Sequence, residues 1–447
     1  MTIKIVDLFA GIGGIRLGFE QACKELGKKV KCVLTSEIKT HAITVYQQNH
    51  KGDINGDVTK IKNEDIPDFD ILLAGFPCQT FSSAGKREGF LDTRGTMFFE
   101  VERFLKEKRP YGFILENVPG LVTHDRKDRK DKIGRTFTTM LNSLNKLGYK
   151  VSWKLINPTD FNIPQERIRI YIIGTLTNII NLNELNKSNT KQKLLDILEK
   201  DKDKLDIDFT RKLLEKYQIN ELYGKSIKDK RGGPNNIHSW ELSIKGNVSE
   251  IGIKLLNTLL KERRKKQWAI QKNIIWMDGM PLTLDEIYTF FKDISKKDLQ
   301  NLLNKLVTQG YIVFEHPKNL FEKEINGKIK KLRIRDETKP KGYNIVTGKL
   351  SFPISKILDP NGTAPTIVAT DVEKLAVPDG KYIRRLTNLE LLRLFGYPDN
   401  FKINNISKRK FLDLMGNTVV VPVIKEISLL ILKSMSRQNY MLKKSKI

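Results

Sequence analysis

The sequence contains little cysteine and no long apolar run. Its 447 residues include three cysteines, Cys23, Cys32 and Cys78, which are too few for a disulfide framework or a four-cysteine zinc site. We therefore predict a protein of a reducing cytoplasm, without a metal site. No uninterrupted apolar stretch reaches the roughly 18 residues that a membrane span needs. Residues 1–7 indicate the start of a strand rather than a signal peptide.

Acidic residues are outnumbered by basic ones. Lys and Arg total 79 against 52 Asp and Glu, which gives a formal net charge of +27, and the sequence pI is about 9.7. Such an excess favours a polyanionic partner, because each phosphate that is neutralised releases counterions. An A/T-rich genome, which enriches Lys, Ile and Asn, would produce the same excess without such a partner. Charge alone leaves both explanations open.

Short apolar runs alternate with helical patterns over residues 1–175, which predicts an α/β domain. The predicted strands are 3–9, 30–36, 70–74, 112–116, 151–156 and 168–175, and the predicted helices are 15–26, 40–49, 96–108 and 134–147. Because the strands are nearly continuous apolar stretches, they fit a parallel sheet that is covered on both faces.

The character of the chain changes after this region. Residues 178–230 are rich in Asn, Lys, Asp and Leu, and a helix is predicted at 253–268. Two amphipathic helices at 284–291 and 295–309 are then followed by a strand at 310–314. Helix, turn, longer helix and strand is the order of a winged helix-turn-helix.

A glycine-rich turn, Phe9-Ala10-Gly11-Ile12-Gly13-Gly14, follows the first predicted strand. It can bring backbone N–H groups close to a ligand at a helix start, but it lacks the third spaced glycine of a dinucleotide fingerprint. Glu37, after the second strand, could accept hydrogen bonds from ribose hydroxyls, and Asp57 could accept one from an adenine amino group. The alternative is that the glycines only turn the chain and the two carboxylates are only solvated.

Cys78 lies in the loop Gly75–Ser82, directly after the apolar strand 70–74. Catalytic groups collect beyond the carboxyl ends of strands in a parallel sheet, and a cysteine in a polar loop can react as a thiolate. On this pattern alone, an inert loop residue is an equal alternative. Cys23 and Cys32 fall within a helix and a strand, where we interpret them as small buried apolar residues.

Two further features favour a reactive Cys78. Glu116 ends the next strand, and Arg167 and Arg169 stand at the start of the strand 168–175, on one face of an extended chain. A thiolate, a carboxyl group and two guanidinium groups at one sheet edge suit an electron-poor substrate with several hydrogen-bonding atoms.

With these residues in place, the sequence resembles the DNA (cytosine-5)-methyltransferases. The motifs occur in the family's order at Asp7–Gly14, Gly75–Ser82, Glu116–Val118, Gln165–Arg169 and Gly416–Val420, with weaker matches at Glu37, Gly56–Val58, Asp92–Phe99 and Arg385–Pro398. The resemblance implies a Rossmann-like α/β methyltransferase sheet built from residues 1–175 and 363–447. Residues 176–362 would form an inserted target-recognition domain that contains the winged-helix pattern, with Thr366-Ile367 resembling the pair that closes it.

The resemblance implies catalytic roles for four residues. The Cys78 thiolate would add to C6 of a cytosine, and Glu116 would bond the ring N3 and the exocyclic amine. Arg169 would hold the O2 side of the ring, whereas Arg167 would support the active-site loop and the phosphates. Addition to C6 makes C5 nucleophilic enough to accept a methyl group.

S-adenosylmethionine is the cofactor that the resemblance implies. The residues that would bind it are Phe9, Gly11, Gly13, Glu37, Asp57, Pro77, Met97 and Asn417. Many members have an aromatic residue after the ribose glutamate, whereas this chain has Ile38. Adenine stacking on that side is therefore weaker or built differently.

The resemblance also implies double-stranded DNA as the partner, with the target base flipped out of the duplex. The predicted DNA contacts are Gln79, Ser82, Lys297, Gln300, Asn301 and Thr366. The helix 295–309 would read the major groove, although its polar face could equally be a solvated surface. The basic run 261–266 would contact phosphates. We further expect a monomer in the bacterial cytoplasm, at the nucleoid, with a companion restriction endonuclease for the same site.

Other functions fit parts of the pattern. A nucleotide-dependent oxidoreductase would need a dinucleotide fingerprint or a Cys-x-x-Cys, and a DNA-binding protein derived from an inactive methyltransferase would have lost one of Cys78, Glu116 or Arg169. The remaining alternative is a tRNA cytosine-5 methyltransferase of the same fold. Such enzymes keep a short recognition region and a Cys-Phe-Thr stretch that this chain lacks. The long insert favours DNA, because reading a major groove needs an added module.

Overall fold

The structure is a computed structural model that describes residues 2–77, 97–128, 130–230, 232–275, 279–325, 328–347 and 352–435. The chain divides into two compact units. The first spans Met1–Lys200, Pro360–Glu373 and Leu386–Ile447, and the second spans Asp201–Asp359 and Lys374–Arg385. Which segments serve catalysis and which serve target recognition stays a prediction.

The amino-terminal part of the first unit supplies a six-stranded sheet and its covering helices. The strands are β1 (Thr2–Leu8), β2 (Lys29–Ser36), β3 (Ile71–Ala74), β4 (Gly112–Asn117), β5 (Lys150–Ile156) and β6 (Arg169–Thr175). The helices are α1 (Gly14–Glu25), α2 (Thr40–Asn49), α3 (Met97–Lys108) and α4 (Arg135–Lys146). These bounds confirm the elements predicted from the apolar periodicity, to within two residues at each end.

The strand order of this sheet is β2-β1-β3-β4-β6-β5. Strands β1 to β4 pair in parallel, but β6 is antiparallel to both β4 and β5. The prediction of a parallel sheet is therefore wrong for these two pairs. Only a short 3-10 turn at Pro158–Phe161 lies between β5 and β6, whereas a parallel connection normally uses a crossover helix. Apolar content indicates that a strand is buried, and it carries no information on the strand's direction.

The first helix of the second unit is α5 (Asp208–Lys216), and the described residues of this unit form three sheets. Its other helices are α6 (Glu250–Glu262), α7 (Lys266–Gln271), α8 (Leu284–Phe290) and α9 (Lys296–Thr308). Its strands are β7 (Ser226–Ile227), β8 (Asn236–Ile237), β9 (Ile312–Glu315), β10 (Lys318–Ile325), β11 (Lys328–Arg335), β12 (Gly342–Ile345), β13 (Lys356–Ile357), β14 (Leu375–Asp379) and β15 (Tyr382–Arg385). The sheets are the five-stranded β15-β14-β13-β7-β8, the antiparallel pair β9 and β12, and the hairpin β10–β11.

Helices α8 and α9 and strands β9 and β12 share one apolar core with α6 and α7. The order from α8 onward, two helices, a strand and then a hairpin, contains the predicted helix–turn–helix–strand sequence. That this segment acts on DNA as a winged helix stays a prediction. The single helix predicted at 253–268 is wrong, because the chain turns at residues 263–265 between α6 and α7. The Arg263 guanidinium is buried there against the Asn344 side chain, at 2.6 Å, and not on an exposed helix face.

The carboxyl-terminal helices return to the first unit as α10 (Asn388–Arg393), α11 (Lys408–Asn417) and α12 (Val421–Ser434). Within residues 408–434, the most apolar window of 18 residues has a mean hydropathy of 1.6, which would suit a membrane span, but 67% of that window is buried inside the protein. Helix α12 approaches α1 so closely that a Cβ on Gly18 would lie 2.8 Å from the Val421 carbonyl oxygen. We therefore interpret α12 as a core helix. The prediction that no uninterrupted apolar run is long enough for a membrane span stands, because Lys425 and Glu426 divide this segment.

Candidate active site

The glycine-rich turn forms a tight loop between β1 and α1. Phe9, Gly11 and Gly13 all have positive φ angles, at 55°, 57° and 84°, and only glycine takes such a conformation without strain. A Cβ on Gly13 would also overlap the buried ring of His50. The loop therefore depends on glycine at position 13 for both its backbone conformation and its packing.

Glu37 fixes this loop to the end of β2. Its Oε2 accepts a hydrogen bond from the Gly11 backbone N–H at 2.7 Å. Its Oε1 accepts from the N–H groups of Ile38 and Lys39, at 2.9 and 2.8 Å. The carboxylate thus lies at the mouth of the loop, and the alternative that it is only solvated does not hold. Ile38 next to it is 70% exposed.

Asp7, directly before the loop, is a buried carboxyl group that the sequence pattern did not single out. Burial raises its pKa to about 7, against the lowering effects of the Arg16 charge and of a hydrogen bond from Tyr46. The Tyr46 hydroxyl donates to Oδ2 at 3.3 Å. Oδ1 has no hydrogen-bond partner among the described residues. Such an orphaned acceptor is costly unless something else satisfies it.

Glu116 and Arg169 meet at the carboxyl end of β4. The Glu116 Oε1 atom lies 3.3 Å from the Arg169 Nε atom, and both side chains are nearly buried. Desolvation by burial raises the pKa of Glu116, opposed by the charges of Arg169 and Arg167. The two residues meet because β6 is antiparallel to β4, so the start of β6 lies beside the end of β4.

The segment that leads to Cys78 is anchored to the same strand end. The Asn117 side-chain amide donates a hydrogen bond to the Phe76 carbonyl at 3.1 Å. A Cβ on Gly75 would lie 3.6 Å from the Glu116 Oε2 atom. Residues 75 and 76 therefore run directly past the carboxyl group of Glu116. Cys78 itself, with Gln79 and Ser82, lies outside the described residues.

Arg167 occupies a different environment from Arg169. Its Nη1 atom donates to the Ile367 carbonyl at 2.7 Å, and its Nη2 atom donates to the carbonyls of Gly416 and Thr418, at 3.0 and 2.9 Å. The guanidinium is buried and lies 5.1 Å from the centre of the Phe395 ring. This geometry holds the carboxyl-terminal motif against the sheet.

Comparison with known proteins decides the family. The model for the family "C-5 cytosine-specific DNA methylase" matches residues 3–433, which is nearly the whole chain. The protein belongs to this family. The resemblance drawn from the motifs is thus confirmed, and the chain is a DNA (cytosine-5)-methyltransferase.

Relatives support a narrower class for this methylase. It is 57% identical to the Type II methyltransferase M.NlaIV of Neisseria lactamica, over 95% of this chain and 98% of that protein. It is 56% identical to the Type II methyltransferase M.NgoBV of Neisseria gonorrhoeae, with the same coverage. The methylase is therefore of the restriction-modification type.

Solved structures agree on the fold. The Schizosaccharomyces pombe Dnmt2 methyltransferase aligns with a TM-score of 0.53 at 14% identity, over 98% of this chain and all of that one. The Entamoeba histolytica methyltransferase EhMeth aligns with a TM-score of 0.52 at 15% identity, with the same coverage. At such low identity the likeness concerns the fold alone.

The other residues that we predict to bind the cofactor differ in their exposure. Met97 begins α3 and packs with Phe9 against the core of the first unit, and Pro77 is the last described residue before Cys78. Asp57 is exposed, and its carboxylate accepts hydrogen bonds from the backbone and hydroxyl of Thr59, which lower its pKa. Asn417 is also exposed.

The Asn417 amide donates to the Asp413 carbonyl at 2.7 Å. Asp413 in turn pairs with Lys39 and His41, at 2.9 and 3.0 Å. Asn417 is thereby connected to the segment that begins at Glu37. The last motif and the ribose-side segment thus meet in the first unit, although 380 residues separate them in the chain.

The predicted DNA-contacting residues differ in how they are held. Lys297 and Asn301 are exposed on one side of α9. Gln300 instead donates through Nε2 to the Asn304 side chain at 3.0 Å, and also to the Tyr343 hydroxyl. Thr366 donates its hydroxyl to the Glu166 carbonyl.

Besides Asp7, two further side chains of the site were not predicted from the sequence. Asn117 anchors the segment before Cys78, and Gln165 donates to the Leu394 carbonyl at 2.7 Å while accepting from the Ile367 N–H at 3.3 Å. Both stand within motifs that the sequence displayed. Their position next to Glu116 and Arg167 was the only available signal.

We predict that loss of Arg167 lowers the stability of the protein, whereas loss of Arg169 lowers its methylation activity. In Arg167→Met, buried carbonyls lose their donor, at a cost of about 1–3 kcal/mol for each one left unsatisfied. The free energy of unfolding should fall, and amide hydrogen exchange at residues 416–420 should accelerate. Arg169→Met is the matched control, because Glu116 can take up a proton when the cation is lost. That variant should lose methylation with little change in either measurement. Equal destabilisation by both variants would contradict the prediction.

Proposed function

We propose that this methylase transfers a methyl group to C5 of a cytosine within a specific duplex DNA sequence, with Cys78 as the covalent nucleophile. One observation carries the proposal. A nearly buried carboxyl–guanidinium pair, Glu116 and Arg169, adjoins the backbone that leads directly to Cys78. These are groups that can bind the polar edge of a pyrimidine while a thiolate attacks the ring.

The first unit fits S-adenosylmethionine as the methyl donor. Apart from Gly11 and its two chain neighbours, no heavy atom of the described residues lies within 4 Å of the position a Cβ on Gly11 would take, so there is open space beside the loop. The orphaned Oδ1 atom of Asp7 adds an unsatisfied acceptor just behind the loop. When bound, the cofactor supplies an electrophilic methyl group. We propose that the loop and its surroundings hold it, through Phe9, Gly11, Gly13, Glu37, Asp57, Pro77, Met97 and Asn417.

The protein's own residues would prepare the cytosine. The Cys78 thiolate forms a bond to C6, and the electron pair of the C5=C6 bond is released into the ring. Glu116 in its acid form, which burial favours, donates to N3, and Arg169 stabilises charge at O2. After C5 has received the methyl group, its proton leaves to solvent. The double bond then reforms, the Cys78 thiolate is expelled, and N3 returns its proton to the Glu116 carboxylate.

Access to C5 and C6 requires that the base leave the helix stack, because neither atom can be attacked within a duplex. We propose that the cytosine flips into the site and that the enzyme acts as a monomer on DNA of the bacterial nucleoid. The Type II relatives suggest a companion restriction endonuclease for the same sequence. Arg167 would serve as a positioning residue, because its guanidinium is committed to backbone carbonyls.

The covalent step predicts a trapped complex. The test uses duplex DNA with 5-fluorocytosine at the target position. Once Cys78 has attacked this base, the C6–S bond persists, because fluorine cannot leave C5 as a proton does. The protein should form an adduct that survives denaturing electrophoresis. Cys78→Ser should form none and should lose methylation by at least about a thousandfold.

Cys32→Ser is the matched control for this experiment. The Cys32 thiol is engaged near the Thr35 hydroxyl, at 3.3 Å, and the variant should keep both adduct and activity. Bisulfite sequencing of plasmid DNA from expressing cells would locate the methylated cytosine. Methylation of transfer RNA with none on the plasmid would overturn the proposal of a DNA substrate.

Helix α9 is the proposed reader of the major groove. Replacing Lys297, Gln300 and Asn301 together by alanine should weaken binding to the methylated sequence by about 1–3 kcal/mol for each lost base contact. It should also relax the preference over other sequences. Lys212→Ala with Glu215→Ala on α5 is the control. Unchanged affinity and site choice in the triple variant would assign α9 a structural role only.

A further inference from the structure

The second unit contains a polar cavity of about 330 Å³ that the proposed reaction does not use. It lies between the hairpin β10–β11, the end of β9 and the end of β12. Four cationic side chains line it, Arg263, Lys318, Arg333 and Arg335, and His316 is also part of the lining. Glu315 is the one carboxylate among the described lining residues.

The strand register explains why the cations converge. Lys318 pairs with Arg335, and Leu320 pairs with Arg333, across the antiparallel hairpin. Side chains of directly paired residues, and of residues two apart, point to the same face of a hairpin. Lys318, Arg333 and Arg335 therefore share one face, which lines the cavity. Arg263 lies at the back of the cavity and is 2% exposed.

The carboxylate of Glu315 lies among these cations. Its Oε2 atom lies 3.4 Å from an Arg335 Nη atom, and its Oε1 atom accepts from the Asn344 amide at 3.1 Å. Asn344 in turn accepts from Arg263 at 2.6 Å. The described lining thus carries four cationic side chains and one carboxylate, a composition that suits an anionic oxygen ligand such as a phosphate diester.

Strand β12 connects this cavity to the proposed reading helix. Tyr343 and Asn344 are neighbours, so their side chains point to opposite faces of the strand. The Tyr343 hydroxyl contacts Gln300 and Asn304 of α9, whereas Asn344 contacts Arg263 in the cavity. Strand β12 therefore contacts the cavity with one face and α9 with the other. An anion bound in the cavity would fix the orientation of α9.

We propose that this cavity binds a backbone phosphate of the DNA duplex and so orients α9 over its site. The proposal rests on the proposed function, which supplies duplex DNA as the partner. Charge complementarity favours a phosphate, because Arg forks match phosphate oxygens. A phosphate contact positions the protein without reading sequence. It therefore has a signature that differs from that of base contacts.

The test compares Arg335→Gln with Arg211→Gln. Both arginines lie in the second unit and pair with a carboxylate, at 3.4 Å to Glu315 and 3.2 Å to Asp206. Their side chains are similarly exposed, 61% and 64%. Dissociation constants would be measured by fluorescence anisotropy at several salt concentrations. The probes are a duplex that carries the sequence methylated by the wild type and a scrambled duplex of equal length.

For Arg335→Gln, the slope of log K against log salt should become shallower by about 0.9, the value for one phosphate contact. Affinity should fall by the same factor on both duplexes. Arg335→Lys, which keeps the charge, should retain the wild-type slope, and Arg211→Gln should change nothing. The double variant with Lys318→Gln and Arg335→Gln should show a slope at least as shallow as that of Arg335→Gln alone. Thermal unfolding would verify that each variant is folded.

An unchanged slope in Arg335→Gln would overturn the proposal. So would an equal change in Arg211→Gln, which would indicate general electrostatics, or a loss confined to the methylated sequence, which would indicate base reading. Bisulfite sequencing of DNA treated with the wild type tests the proposed function separately. A wild type that methylates DNA while Arg335→Gln keeps its slope would contradict the phosphate site alone.

Discussion

The pairing of Glu116 with Arg169 is the interaction on which the rest of the site depends. A buried carboxyl group is costly when it is charged. The guanidinium of Arg169, 3.3 Å away, stabilises the charged form of Glu116 and fixes the orientation of its carboxyl group. The pair exists only because β6 reverses direction beside β4. In a fully parallel sheet, the start of β6 would lie at the opposite edge, and Arg169 would be about a strand length from Glu116.

Much of the site was predictable because its residues stand at ends of apolar strands. Glu37 follows β2, the Cys78 loop follows β3 and Glu116 lies near the end of β4. Three parallel strands bring their carboxyl ends to one edge. The placement of these groups therefore follows from the strand pattern together with the parallel pairing of β1 to β4. The order of the motifs then indicated the family, which the family match and the Type II relatives confirmed.

Other features depend on tertiary contacts that no local pattern encodes. Arg167 resembles Arg169 in sequence, yet its partners are carbonyls at residues 367, 416 and 418, some 200 residues away. At the break between α6 and α7, Arg263 is buried against Asn344, which is 81 residues further along the chain. The cations of the hairpin β10–β11 share one face because of the register between the two strands. Alternation along a single strand does not predict that register.

Titration of Glu116 tests the central claim most directly. Protein with 13C-labelled glutamate carboxyls would be titrated by NMR, with Glu116→Gln to assign the resonance. The account predicts a pKa above the ordinary value of 4.5, and a further rise in Arg169→Met, because the cation that favours the carboxylate is then gone. A pKa at or below 4.5, or no response to the loss of Arg169, would contradict a buried acid poised beside that guanidinium.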